Sequence, residues 1–202
     1  MKQGKEITIS IGKANLFSFV VLLFDIVFVV LPYFFLWKDS LYDIATHMYK
    51  TYFSILPLTL SAVVVVSILL LGIVLHEFLH GFTWSFFTKN GFKDIRFGVK
   101  KWILPTPYCH CTAPMKNKYF VLGVAMPFLI LGLIPSIAAM ANGNFLLLFF
   151  GMVFVAAASG DIFIAVKLLR ENPNSIVKDH PDKVGCNIYA DKVKIGCCIY
   201  DE

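Results

Sequence analysis

Charged residues are scarce in this chain. Asp, Glu, Lys and Arg make up 15% of its 202 residues, whereas 58% of the residues are hydrophobic. A soluble domain usually carries about 25% charged residues, which keep its surface hydrated. The shortage of charge therefore excludes an ordinary soluble globular domain and indicates an integral membrane protein.

Four apolar stretches are each long enough to cross a hydrocarbon layer about 30 Å thick, which takes about 20 helical residues. They cover residues 16–37, 53–82, 119–141 and 145–168. No small-residue cleavage site follows the first stretch, so we expect it to be a retained span rather than a signal peptide. The sequence thus predicts an all-α membrane protein with four transmembrane helices.

Cations are almost absent from the loop between the first two spans, which holds only Lys38 and Lys50. The other 16 of the 18 Lys and Arg residues precede the first span, separate the second from the third, or follow the fourth. The positive-inside rule therefore predicts a multi-pass protein of the cell membrane with both termini in the cytoplasm. The net charge of +5 then reflects topology, so we expect the lipid bilayer as a partner and no nucleic acid.

Cysteines with the C-x-x-C spacing of zinc and redox motifs are also lacking. The five Cys residues contain no C-x-x-C pair, and the predicted topology puts them in the reducing cytoplasm, which disfavours a disulfide framework. Alternation in PYCHC puts Cys109 and Cys111 on one strand face and His110 on the other, which disfavours a separate zinc site there. We interpret the cysteines of the tail as small apolar strand residues.

Two segments outside the spans have the two-residue alternation of β-strands. In the loop 91–117, this alternation and three prolines predict an extended cytoplasmic hairpin, with Lys100 and Lys101 at its turn. In the tail, the near-repeats KVGCNIYAD and KIGCCIYDE predict a small C-terminal β-hairpin. We therefore expect a four-helix membrane domain over residues 1–170 and a cytoplasmic tail over residues 171–202.

The second span contains the sequence HEFLH. His76 and His80 are four residues apart and therefore lie one turn apart on one helix face, where both can reach one ion. Glu77 lies about 100 degrees round the helix from His76, which leaves it free to handle a proton. In such motifs zinc lowers the pKa of its water to about 7, and the glutamate takes the proton. Random placement of the His and Glu residues would give about 0.002 occurrences of this motif in the chain, so chance is a poor explanation. The alternative to a metal site is a metal-free pair of histidines or a proton relay.

A catalytic zinc site needs a third protein ligand beside the two imidazoles. Asp161, in ASGDIFIA, is an acid inside the fourth span, where a carboxylate needs a cation. The small residues around it, including Gly160, are expected to permit close helix packing. His110 in the hairpin loop and His180 after the fourth span are the alternative ligands. Without a metal, Asp161 would instead hydrogen-bond to a neighbouring helix.

HEFLH in one transmembrane helix and an aspartate beside a glycine in a later one resemble the site-2 protease class of intramembrane metalloproteases. The wider set of HEFLHGF, PYCHC, SGDI and DHPDKVGC is similar to the DUF3267 family of putative zincin peptidases, over residues 71–189. This resemblance implies His76 and His80 as zinc ligands, Glu77 as the catalytic base and Asp161 as the third ligand. In site-2 proteases the aspartate is usually followed by glycine, whereas here the glycine precedes it.

The sequence therefore predicts a zinc-dependent metalloendopeptidase that hydrolyses peptide bonds of membrane-associated protein or peptide substrates. A helical substrate must unwind before attack, and an extended strand could hold the unwound segment by strand addition. The predicted substrate-binding residues are Tyr108, Cys109, His110, Cys111 and Thr112. The alternative is a non-catalytic metal-binding membrane protein, a sensor or transporter-like subunit with a degenerate protease core. A transporter would place further polar residues along several spans, and the spans contain few.

Overall fold

The computed structural model describes residues 5–38, 46, 50, 58–101, 105–180 and 185–189. These residues are mostly helical. The helices are α1 (Ile11–Asp25), α2 (Leu31–Leu36), α3 (Leu58–Ser85), α4 (Asn117–Pro127), α5 (Ile134–Asn142), α6 (Phe145–Ala157) and α7 (Ser159–Leu168). Two π-helical segments, Ile26–Val30 and Phe128–Leu133, join α1 to α2 and α4 to α5.

Three continuous helical segments are long and apolar enough to cross a membrane: Gly12–Leu36, Thr59–Ser85 and Asn117–Asn142. The predicted fourth span is broken, because α6 and α7 meet at a bend of 52°. The described residues thus contain three candidate spans, or four if the bent pair counts as one. The predicted start of the second span, residues 53–57, lies outside the described residues.

The larger sheet joins distant parts of the chain. Its four strands, all antiparallel to their neighbours, have the order β1–β6–β5–β4. They are β1 (Lys5–Thr8), β4 (Met115–Lys116), β5 (Ile176–Asp179) and β6 (Gly185–Tyr189). The first near-repeat of the tail is thus a strand, as predicted, but it pairs with β5 and β1. The second near-repeat lies outside the described residues, and the boundary at residues 170 and 171 stays a prediction.

The smaller sheet is the hairpin predicted in the loop 91–117. Its strands are β2 (Ile95–Lys101) and β3 (Pro105–Cys111), which pair antiparallel. The expectation that Lys100 and Lys101 form the turn is wrong, because both extend β2 opposite Thr106 and Pro105. A proline is tolerated there, since its missing N–H would point away from β2. The fold is therefore mostly helical with two small sheets rather than purely α-helical.

The chain forms two compact units, divided within α3 between His76 and Glu77. The first unit comprises Met1–Asn15, Glu77–Met126 and Gly160–Glu202. Its core contains side chains from the larger sheet, β2, β3, α3, α4 and α7, among them Ile7, Trp84, Ile95, Cys111, Phe120, Ile164, Val177 and Ile188. Trp84, one turn after His80 on α3, belongs to this core.

The second unit comprises Leu16–His76 and Pro127–Ser159. Its buried centre is Tyr33, whose hydroxyl donates to the carbonyl oxygen of Gly143 at 2.7 Å. Gly143 ends α5 at a φ of 71°, a left-handed conformation that glycine adopts without strain. The side chain of Asn144 then accepts from the N–H of Leu147 and caps α6. These two residues make the turn between α5 and α6.

Candidate metal centre

The HEFLH motif lies near the end of α3. His76 and His80 are both buried, and Glu77 between them is half-buried. The helix forms because Leu, Val and Ile fill it without a proline or a charge before His76. It ends at Ser85, so the motif lies within its last three turns.

His76, His80 and Asp161 lie close enough to share one ion. Each offers one ligand atom, and these atoms all lie within 4.8 Å of one another. Among the described residues, no other group of three His, Cys, Asp or Glu side chains brings its ligand atoms this close together. His80 Nε2 is 3.5 Å from Asp161 Oδ2. Two ligands of a tetrahedral zinc ion, at bond lengths of about 2.0 to 2.2 Å, are separated by about 3.3 to 3.5 Å. The donor set therefore fits Zn2+ in chemistry, and the pair formed by His80 and Asp161 fits it in spacing.

A buried hydrogen bond orients the imidazole of His80. Its Nδ1 lies 2.9 Å from the carbonyl oxygen of Gly123, and only a protonated Nδ1 can donate to a carbonyl. In the neutral ring, the unprotonated Nε2 then faces Asp161 as a metal ligand must. The carbonyl of Gly123 is available because its usual helical donor would be the N–H of residue 127, and Pro127 has none.

A glycine lets α4 approach α3 beside His80. A Cβ added at Gly123 would overlap the indole ring of Trp84, whose Nε1 donates to the carbonyl oxygen of Phe120 at 3.1 Å. The same indole stacks on the imidazole of His80, with ring centroids 5.5 Å apart. Sequence reasoning missed this support. The sequence feature that could have indicated it is a glycine and a proline four residues apart inside a predicted span, Gly123 and Pro127.

Asp161 lies in the first turn of α7, just after the break at Ala158. The expectation that Gly160 permits close packing is wrong, because a Cβ added there would meet nothing within 4 Å. The start of α7 is instead fixed by Ser159, whose Oγ lies 2.6 Å from Oγ of Ser18. The bend between α6 and α7 therefore positions Asp161 at the beginning of a helix.

The residues that form this group belong to a segment that is similar to a known family. Residues 69–177 match the model of DUF3267, described as putative zincin peptidase. The chain belongs to this family. The matched segment covers more than half of the chain and includes both histidines, Glu77 and Asp161. No match is found among curated proteins or among solved structures. The name of the zincin peptidase family indicates a metallopeptidase that uses zinc.

The β2–β3 hairpin lies directly against the motif helix. A Cβ added at Gly81 would come within 3.0 Å of the side chains of Ile95, Phe97 and Cys109, so glycine is needed for this approach. Burial raises the pKa of the Cys109 thiol, and the negative charge of Glu77 raises it further. Cys109 of the hairpin is therefore a neighbour of the glutamate that the motif makes the base.

The two alternative ligands lie in other ion pairs. His110 Nδ1 is 2.9 Å from Asp179 Oδ2, and His180 Nε2 is 3.7 Å from Glu6 Oε1. Neither belongs to the group of three potential metal ligands. Both pairs connect parts of the first unit, which is a structural role that the sequence pattern did not reveal.

The remaining predicted substrate-binding residues lie on or just after β3. The ring of Tyr108 covers Gly98 on the paired strand, where an added Cβ would overlap it. Thr112 follows the strand, and its N–H and hydroxyl both donate to the carbonyl oxygen of Asp94 at 2.9 Å. The strand from Tyr108 to Cys111 is therefore held in an extended conformation.

Proposed function

We propose that this protein is a zinc-dependent endopeptidase that hydrolyses peptide bonds of membrane-associated proteins or peptides. The observation that carries the proposal is the convergence of His76, His80 and Asp161, with 3.5 Å between His80 Nε2 and Asp161 Oδ2. Glu77 lies next to these ligands without being one of them. Membership of the zincin peptidase family supports the same chemistry.

In this proposal His76, His80 and Asp161 would hold the zinc ion. Bound zinc supplies a Lewis acid that polarises the carbonyl to be cleaved and lowers the pKa of water to about 7. Glu77 accepts a proton from the attacking water and then delivers it to the leaving nitrogen. Gly123 keeps His80 in the tautomer whose Nε2 carries no proton and can act as a ligand.

The substrate would bind in an extended conformation. A helix satisfies its carbonyls internally, so a helical substrate must unwind before its peptide bond can be attacked. The strand β3 offers backbone groups for pairing with such a segment, by strand addition, close to Glu77. Residues Tyr108 to Thr112 are the proposed binding segment.

The site would lie inside the bilayer near its cytoplasmic edge. The distribution of Lys and Arg supports a multi-pass arrangement in the cell membrane with both termini in the cytoplasm. α3 ends five residues after His80, which corresponds to about 8 Å of helix. Since a hydrocarbon half-layer is about 15 Å thick, water has a short path to the site from the cytoplasm.

The test is the Glu77→Gln variant of the full-length protein in detergent or liposomes. We expect it to keep its zinc, measured by mass spectrometry, but to lose cleavage of casein and of a transmembrane peptide. His76→Ala should lose both the metal and the activity. Glu171→Gln, which changes a glutamate that pairs with Lys5, is the matched control and should cleave normally. Normal cleavage by Glu77→Gln would refute the proposed role of this residue.

A further inference from the structure

The outer edge of β3 is the proposed binding surface for an extended segment. In the described part of the chain β3 pairs with β2 alone. A strand at the edge of a sheet presents every second residue's N–H and C=O outward, where another strand can pair with them. The residues that point outward therefore decide what this edge can bind.

The hydrogen bonds next to β3 identify those residues. The N–H of Thr112 donates to the carbonyl oxygen of Asp94, on the β2 side. Because the pattern alternates, the backbone groups of His110 and Tyr108 also face β2, and those of Cys109 and Cys111 face outward. The N–H of Cys111 confirms this, since it donates away from β2, to Asp179 Oδ2 at 3.1 Å.

Asp179 thus occupies a position that the carbonyl of an incoming strand would take. Its Oδ2 accepts from the N–H of Cys111 and lies 2.9 Å from His110 Nδ1, so two contacts hold it. On the other side of Cys109, the outward positions are Pro107 and Pro105, which have no N–H to donate. Cys109 is left as the one residue of β3 with both an N–H and a C=O to offer.

We infer that Asp179 and the two prolines fix the register in which β3 accepts a peptide substrate, by leaving Cys109 as its one two-bond pairing residue. The inference rests on the proposed function, because it needs the edge to receive a substrate. It makes Asp179 a positioning residue that acts through the backbone of β3 and touches no reacting atom. Since Cys109 is a neighbour of Glu77, the register also decides which peptide bond reaches the base.

The test uses full-length, zinc-loaded Glu77→Gln protein and a fluorescein-labelled peptide of casein sequence. In a set of peptides, each backbone amide in turn is replaced by a thioamide, which keeps the N–H and makes the carbonyl position a weaker hydrogen-bond acceptor. One replacement should weaken binding about five-fold, at the carbonyl that pairs with the N–H of Cys109. With Asp179→Ala added, the N–H of Cys111 becomes available, and a second sensitive carbonyl should be found two residues from the first.

Two matched variants separate the acceptor at Cys111 from the contact with His110. Asp179→Asn keeps an oxygen for the N–H of Cys111, and His110→Ala leaves Asp179 in place, so both should keep one sensitive position. Hydrogen exchange reports the contact without any substrate: the amide of Cys111 should exchange at least ten-fold faster in Asp179→Ala, but not in Asp179→Asn.

Different outcomes contradict different parts of the reasoning. Peptide binding with the same single sensitive position in Asp179→Ala overturns the inference and leaves the proposed function intact. Unchanged exchange of Cys111 in a folded Asp179→Ala protein overturns it too. Absence of any peptide binding by protein that holds zinc contradicts the proposed function and the inference together.

Discussion

The variant Gly123→Ala tests whether the support behind His80 matters for the metal. The added Cβ would lie within 2.8 Å of three atoms of the Trp84 indole ring, whereas non-bonded carbon atoms prefer about 3.5 to 4.0 Å. The indole ring or α4 must therefore move by about 1 Å. A shift of α4 by this distance would stretch the bond between His80 Nδ1 and the carbonyl of Gly123 from 2.9 Å to beyond hydrogen-bonding distance.

The expected loss appears in zinc affinity first. Removing the partner that orients a metal-binding histidine typically costs about 10- to 100-fold in affinity, which corresponds to about 1.4 to 2.8 kcal/mol. Overpacking adds about 1 to 3 kcal/mol of lost stability. Zinc affinity is measured by competition with a chromophoric chelator, and stability by thermal unfolding of the purified protein with and without zinc.

Gly160→Ala is the matched control. It makes the same chemical change beside Asp161, but its added Cβ meets nothing within 4 Å. Alanine also favours the helix by about 1 kcal/mol relative to glycine, so stability and zinc affinity should be unchanged or slightly higher. Wild-type zinc affinity in Gly123→Ala, or an equal loss in both variants, would refute the reasoning about His80.

Further outcomes are expected for the third ligand and for the thiols. Asp161→Ala should lose zinc whereas His110→Ala and His180→Ala keep it; zinc retained by Asp161→Ala would mean that another residue is the third ligand. Burial raises the pKa of the Cys111 thiol and of the Cys186 thiol to about 12, and the thiolate is the reactive form. Both should therefore react slowly with maleimide at neutral pH until the protein is unfolded. A cysteine introduced in place of the exposed Asn174 should react with a membrane-impermeant maleimide only after the membrane is opened, and ready labelling in intact cells would invert the proposed orientation.

The parts of the fold that local pattern determines were predictable from the sequence. An apolar run long enough to span a membrane, a four-residue histidine spacing and a two-residue alternation each depend on neighbouring residues alone. They located the apolar helices that are candidate spans, the face shared by His76 and His80, and the β2–β3 hairpin. The approach of Asp161 to the two histidines was predictable for another reason, since a carboxylate in an apolar helix is costly without a cation.

The parts that depend on long-range contacts were not predictable in this way. No proline marks the bend at Ala158 in the sequence, so the fourth span was expected to be continuous. The roles of Gly123 and Asp179 depend on partners about 40 and 70 residues away in sequence. A single sequence shows such a glycine or aspartate but does not show which distant residue it contacts in the fold.

The ladder between β1 and β6 has a consequence for the order of synthesis. Lys5 pairs with Ile188 and Thr8 with Gly185, so this ladder cannot close until every candidate span has been translated. At about 5 to 20 residues per second, about 10 to 40 s separate the synthesis of its two strands. The helices of the candidate spans can form earlier because their hydrogen bonds are local. Asp179 lies in the adjacent strand and is made 68 residues after Cys111, so for about 3 to 14 s the edge of β3 is open in the nascent protein.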